Sequence, residues 1–221
     1  MQMKTRYLYC LLLCLLFAVT SCSGANEATF EATFENKGFP IVPRDSLNNQ
    51  KVLIVYLSRT KNTKAVAEII HRQVGGDLVG LELENPYPTH YQTAVDQVAE
   101  ENKTGYLPPL KTKIDNIGKY DFIFVGFPTW GMQLPPPIKS FLKQYDLAGK
   151  TIVPFNTNAG YGVGSSFDTI KQLCSKSKIL EGFTTKAGKE RDGILFVISG
   201  EKEKQLIVQL AQWLEKLGFT K

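Results

Sequence analysis

The segment from residue 52 to residue 63, V-L-I-V-Y-L-S-R-T-K-N-T, constrains the fold of this chain more than any other. Its first six residues are apolar or aromatic, a run long enough for one buried strand and too short for a core helix. Short polar side chains follow at Ser58, Thr60, Asn62 and Thr63, and an amphipathic helical pattern begins directly after them. The N–H groups in the first turn of a helix lack internal partners and carry partial positive charge. This segment therefore predicts a strand, a tight polar turn and a phosphate site at a helix N-terminus.

Strand-like and helix-like segments alternate along the rest of the chain. This alternation predicts an α/β fold with a doubly wound parallel sheet between two layers of helices, a three-layer sandwich. Ligands of such folds bind beyond the carboxyl ends of the strands, which here means the loops 58–63, 126–134 and 156–166. The predicted strands are residues 52–57, 78–83, 122–125 and 151–155, with two further strand-like runs at 179–184 and 194–198.

The N-terminal residues have the pattern of a targeting segment. Lys4 and Arg6 precede an apolar run at 7–19, which is too short to span a membrane as a helix. The run ends in V-T-S-C at Cys22, which resembles the lipobox of bacterial lipoproteins, where the cysteine becomes lipidated. We expect a signal peptide at 1–21, a tether at 22–50 and a folded domain at 51–221. This places the domain outside the cytoplasm, facing the periplasm on a lipid anchor, although an ordinary secretory signal or a short anchor stays open as an alternative.

Cysteine content and charge exclude several classes of protein. Of the four cysteines, Cys10 and Cys14 lie in the predicted signal and Cys22 would carry lipid, so Cys174 remains as a buried thiol. Neither an internal disulfide nor a Cys/His metal site is predicted. The formal charge of +5 falls to +3 without residues 1–21, and no dense basic run is present. Nucleic acid is therefore not an expected partner.

The first two loops narrow the expected ligand. The 58–63 loop is neither a Walker A sequence nor G-x-G-x-x-G, which disfavours a nucleoside triphosphate or a dinucleotide. Hydroxyl and amide groups suit a monophosphate. In the second loop, G-F-P-T-W-G, Trp130 directly follows a predicted central strand. It is well placed to stack on a flat ring, and packing beneath the loop is the alternative.

Together these motifs resemble the flavodoxin family. S-R-T-K-N-T is similar to the family's phosphate signature S/T-x-T-x-N-T, and P-T-W-G to its flavin-stacking loop. The resemblance extends over residues 51–219, and the third loop, T-N-A-G-Y-G, departs from the T-S-G-G-S-G of the most similar bacterial members. It implies a flavodoxin-like fold with five parallel strands in the order 2-1-3-4-5 and a non-covalent FMN.

The resemblance also implies residue roles. The phosphate would be held by the side chains of Ser58, Thr60, Asn62 and Thr63 and by the N–H groups of Arg59 and Lys61. Trp130 would cover one face of the ring, and Tyr161 is the candidate for the other. Further contacts with the ring are expected from Pro128, Thr129, Gly131, Thr157, Asn158 and Gly160. No residue is assigned a catalytic role, and Tyr87 and His90, from the loop after the second strand, are further candidates for contact with the ring.

Two functions remain open at this stage. An FMN protein of this kind is an electron carrier or an NAD(P)H/quinone-type reductase, because the flavin supplies the chemistry in both. Loops 126–134 and 156–166 contain no Asp or Glu, whereas flavodoxins that carry single electrons are typically acidic. This predicts a less negative second reduction potential and favours the reductase, an FMN-dependent oxidoreductase, or a different redox partner protein. The alternative is a cofactor-free binding or assembly module at the cell envelope.

Overall fold

One parallel sheet forms the centre of the domain. The computed structural model describes residues 51–193 and 195–220. Its strands lie in the order β2-β1-β3-β4-β5, and β6 pairs with β4 as an addition to this path. The predicted order of five parallel strands is therefore confirmed. The strands are β1 (Val52–Tyr56), β2 (Asp77–Gly80), β3 (Phe122–Pro128), β4 (Thr151–Asn158), β5 (Lys178–Ile179) and β6 (Phe183–Lys186).

Helices connect these strands. The predicted helix after each of the first four strands is present, and so is the last helix. They are α1 (Asn62–Val74), α2 (Tyr91–Thr104), α3 (Pro136–Gln144), α4 (Ser166–Leu173) and α5 (Gly200–Leu217). None of the described helices is both long and apolar enough to cross a membrane. The predicted signal peptide, the tether and the lipidation site at Cys22 lie outside the described residues.

Two apolar layers cover the sheet, as the alternation of side chains along a strand requires. Leu53 and Val55 of β1 pack in the layer that contains residues of α3 and α4. Ile54 packs in the opposite layer, with residues of α1 and α5. No residue of α2 belongs to either core cluster, although Ala94 and Val98 of this helix are buried. The inner face of α2 is therefore covered by something other than the main core.

The predicted strand at 179–184 is divided into two. β5 pairs with the beginning of β4, and β6 pairs with its end. Leu180 N donates to Ile152 O, so alternate residues of β4 from Ile152 onward face this edge. The next such residue is Pro154, which has no N–H to donate. The ladder consequently breaks at residues 180–182 and resumes at β6.

The prediction of a strand at 194–198 was wrong for the residues that the structure describes there. Residues 195–198 form no strand. This segment instead hydrogen-bonds to the first residue of α1: Asn62 Nδ2 donates to Leu195 O, and Val197 N donates to Asn62 Oδ1 at 3.0 Å. The apolar run is explained partly by Ile198, which is buried in the core, whereas Leu195 and Phe196 are half exposed.

Candidate functional site

The beginning of α1 has the properties of an anion site. Lys61, at its N-cap, has a left-handed backbone (φ 66°) and makes no capping hydrogen bond through its side chain. A left-handed non-glycine residue is strained, and such residues concentrate at functional sites. The first turn contains no acidic residue. The N–H groups that begin α1 are thus left without a side-chain acceptor, as a bound phosphate requires.

The hydroxyl groups around this turn differ in the hydrogen bonds that they make within the protein. Ser58 Oγ is buried and has no hydrogen-bond partner among the described residues, so it keeps a donor for a ligand. Thr60 Oγ1 accepts from Asn62 Nδ2 at 2.9 Å, which leaves its own hydrogen available. Thr63 is buried and shares a hydrogen bond of 2.8 Å with Thr157. The Asn62 side chain is fully engaged by Thr60 and the 195–197 segment, so its backbone N–H is the group left for a phosphate.

Arg59 does not extend into solvent. Its guanidinium forms a forked pair with Glu190, at 2.8 and 3.0 Å, and donates to the carbonyl oxygens of Pro88 and Thr89. The two charged side chains are each about one-fifth exposed. Arg59 therefore joins the first loop to the β2–α2 connection and to the segment after β6, and Glu190 compensates its charge.

The orientation of Trp130 is set by a tight turn. Gly131 and Met132, both with positive φ, lie between Trp130 and Gln133, and Gln133 N donates to Trp130 O. Two consecutive left-handed residues define the type I′ geometry. The Trp130 ring lies edge-on to the Tyr87 ring, with centroids 5.4 Å apart and planes at 87°. Trp130 is only partly buried, and it packs against the core cluster that contains Leu53 and Val55. Its stacking on a flat ring stays a prediction.

Close contacts join the Trp130 loop to the β4–α4 loop. Thr129 N donates to Thr157 O at 3.0 Å, and Thr129 Oγ1 donates to Gly162 O at 2.9 Å. A Cβ on Gly164 would lie 2.0 Å from the carbonyl oxygen of Met132. The backbones therefore approach so closely that only glycine fits at this position.

Asparagine side chains determine the shape of the third loop. Asn158 Oδ1 accepts from the N–H groups of Gly160 and Gly162, and its Nδ2 donates to Asn156 and Thr184. The Asn158 side chain therefore makes its hydrogen bonds within the protein. Tyr161 is 66% exposed, with Lys189 Nζ 5.2 Å from its ring centroid. The expected contacts of these residues with a flavin ring stay predictions.

A cavity of about 480 Å³ lies between the Trp130 loop and α2. Tyr87 forms part of its wall and donates to the buried carboxylate of Glu101. Burial, together with this hydrogen bond, raises the pKa of Tyr87 far above its ordinary value, so the phenol stays protonated. The cavity is lined by Arg59, Tyr87, Tyr91, Ala94, Val95, Val98, Ala99, Asn102, Lys103, Thr129, Trp130, Gly131, Gln133 and Glu190.

The structure thus brings most of the predicted site residues together at one edge of the sheet. A family model described as flavodoxin matches residues 51–195. This chain belongs to the flavodoxin family. Sequence reasoning missed Glu190 and the lining face of α2. Glu190 lies 131 positions from Arg59 in the sequence, and no local pattern indicated the pair.

Solved structures agree with membership of the flavodoxin family. A protein of Bacteroides eggerthii DSM 20697, named as a flavoprotein, is 29% identical, with a TM-score of 0.60, and the match covers 76% of this chain and 97% of that one. A flavoprotein of Lactobacillus acidophilus NCFM in complex with FMN is 21% identical, with a TM-score of 0.54 and coverage of 66% and 98%. The second likeness concerns the fold alone. A comparison with curated protein sequences finds no match.

Proposed function

We propose that this chain is a redox flavoprotein that binds FMN non-covalently. The observation that carries this proposal is the N-terminus of α1, where the flavodoxin signature residues leave N–H groups without a side-chain cap and a buried Ser58 hydroxyl without a partner in the described part of the chain. A phosphate accepts hydrogen bonds from both kinds of donor. The FMN complex of the Lactobacillus flavoprotein supports the choice of ligand.

Different residues of this chain would bind the phosphate and the ring of FMN. Ser58, Thr60 and Thr63 with the first N–H groups of α1 would hold the phosphate. Trp130 would stack on the ring, held in orientation by its tight turn and by Tyr87. The bound flavin supplies one- and two-electron transfer. The hydrogen bonds between the Trp130 loop and the β4–α4 loop would keep these groups in place, which is the protein's contribution to the reaction.

Titration of the purified chain with FMN tests the proposal. We expect saturable binding at one FMN per chain, a yellow protein and quenched flavin fluorescence as the indole stacks on the ring. Riboflavin, which lacks the phosphate, should bind at least tenfold more weakly. If neither flavin binds, the chain is a cofactor-free member of the fold and every redox role is withdrawn.

We also propose that the domain is tethered to a bacterial membrane through lipid on Cys22. Support comes from the basic start of the chain, the short apolar run and the V-T-S-C sequence. Cells that express the chain should incorporate labelled fatty acid into it, and the Cys22→Ser variant should not. Equal labelling of the two proteins would contradict the lipid anchor.

The charge around the site bears on the redox role. The structure places one acidic residue near the site from outside loops 126–134 and 156–166: Glu190 lies against Arg59. Lys64 is likewise paired with Glu68, at 3.6 Å. The positive charge expected around the phosphate is thereby reduced, yet no acid is present in the Trp130 and Tyr161 loops. We retain the proposal of a less negative second potential, which favours reductase chemistry over single-electron carriage.

A further inference from the structure

The cavity beside Trp130 is elongated along α2. Seven of its lining residues belong to this helix and recur at intervals of three or four positions, which places them on one face. From the first to the last, this face is about 18 Å long at 1.5 Å per residue. They are Tyr91, Ala94, Val95, Val98, Ala99, Asn102 and Lys103. No residue of α2 belongs to the two core clusters, and the apolar face of this helix borders the cavity instead.

This cavity is adjacent to the expected flavin site and distinct from it. The two share Arg59, Thr129, Trp130 and Gly131. No residue of the 156–166 loop lines the cavity, and of the 58–63 loop only Arg59 does. A ring held between the second and third loops would therefore leave the cavity free, with the Trp130 indole as a common wall.

The charges of the lining residues are compensated. Arg59 is paired with Glu190 at 2.8 Å, and Lys103 is paired with Glu100 at 3.3 Å. The Lys103 pair is solvent-exposed and weak, whereas the forked, partly buried pair with Glu190 holds Arg59. Arg59 is therefore not left to neutralise a phosphate, which disfavours a phosphorylated nucleotide as the occupant. The remaining lining residues are mainly aromatic and aliphatic, and the volume of the cavity lies within the range of small-molecule sites.

We propose that this cavity binds a neutral molecule with a flat aromatic ring and an apolar chain. The ring would lie against Trp130 and Tyr87, whose edge-to-face arrangement offers one aromatic face and one edge. The chain would lie along the aliphatic face of α2. The inference rests on the proposed function in one respect: such a ligand is a redox substrate only if FMN occupies the neighbouring site.

Substitution of an exposed lining residue tests the site without disturbing the core. Val95 is 38% exposed, so Val95→Trp fills the cavity from its open side. Asp96→Trp places the same side chain at the next, exposed position of α2, which does not line the cavity, and serves as the matched control. The probe is 2-methyl-1,4-naphthoquinone, measured by equilibrium dialysis against the full chain with and without saturating FMN.

We expect Val95→Trp to weaken binding of the naphthoquinone at least tenfold, and Asp96→Trp to leave it within twofold of the parent. Affinity for FMN should be unchanged in both variants. Equal binding of the probe to all three proteins would overturn the proposal. Loss of FMN binding in Val95→Trp alone would also overturn it, since the cavity would then belong to the cofactor. Failure of the parent to bind FMN, with probe binding still sensitive to Val95→Trp, would refute the proposed function and leave this cavity as a ligand site.

Discussion

The hydroxyl oxygens of Thr63 and Thr157 lie 2.8 Å apart, although the two residues are 94 positions apart in the chain. Thr63 belongs to the first turn of α1 and Thr157 to the end of β4, and both are buried. This bond joins the predicted phosphate turn to the strand from which the third loop departs. The two halves of the candidate site are therefore held together by a buried hydrogen bond.

Substituting these two threonines separately distinguishes their roles. Thr63→Val and Thr157→Val each remove one hydroxyl of the same bond, and each should cost about 1 kcal/mol of unfolding free energy. Thr63→Val should also weaken FMN binding by about tenfold and leave riboflavin binding unaffected, because Thr63 is expected to reach the phosphate. Thr157→Val should weaken the binding of FMN and riboflavin alike, because Thr157 is expected to contact the ring. Chemical denaturation and flavin titration provide the measurements; an equal loss of FMN and riboflavin affinity in Thr63→Val would contradict the phosphate contact of Thr63.

The stacking role of Trp130 predicts a graded series. Trp130→Ala should lower FMN affinity by roughly tenfold or more, because stacking adds about 0.5–1.5 kcal/mol beyond simple burial. Trp130→Phe should recover most of it. Flavin fluorescence should stay largely unquenched in the alanine variant. Tight binding with full quenching in that variant would assign the stacking role to another residue.

Gly126 permits the close packing at the centre of the sheet. A Cβ at this position would lie 2.1 Å from the Phe155 ring on the neighbouring strand. Gly126→Ala should therefore destabilise the protein by about 1–3 kcal/mol through overpacking. Gly118→Ala, where the nearest atom is the flexible Asn116 side chain at 3.3 Å, is the control and should change stability little. Adding Phe155→Leu to Gly126→Ala should restore part of the loss in thermal denaturation; no restoration would argue against the ring contact as the cause.

The thiol of Cys174 should be inert at ordinary pH. The residue is 4% exposed, and burial raises its pKa to about 11. At pH 8 roughly 0.1% of such a thiol is ionised, whereas about a quarter of a free cysteine with an ordinary pKa of about 8.5 is thiolate. Alkylation by iodoacetamide, followed by mass spectrometry of the Cys174 peptide, should be at least a hundredfold slower than after unfolding. Rapid labelling of the folded protein would show that the helix α4 region opens readily.

The Arg59–Glu190 pair predicts an effect on redox potential. Glu190→Gln keeps a hydrogen-bond acceptor but leaves the Arg59 charge uncompensated. Added positive charge near the flavin should make its potentials less negative, by an amount on the order of tens of millivolts at intermediate dielectric. A redox titration of the FMN-loaded variant against the parent measures the shift. A shift towards more negative values would contradict the proposed effect of local charge.

The sequence by itself determined the α/β alternation, the strand order through its resemblance to the flavodoxin family, and the N-terminus of α1 as a candidate phosphate site. These features depend on short-range patterns: apolar runs of strand length, helical spacing and polar residues next to each other in the chain. The burial of Cys174 also followed from its position beside the apolar face of α4.

Only the tertiary structure decided which distant groups meet. The pairing of Arg59 with Glu190, the bond between Thr63 and Thr157 and the cavity along α2 all join segments far apart in the sequence. Pro154 divides the predicted strand at 179–184, because it has no N–H to donate to that strand. The run at 195–198 looks like a strand because it is apolar, yet its backbone is bound by the Asn62 side chain. The local sequence pattern indicates which secondary structure a segment prefers. Hydrogen bonds and packing between distant segments decide which partners its polar groups have.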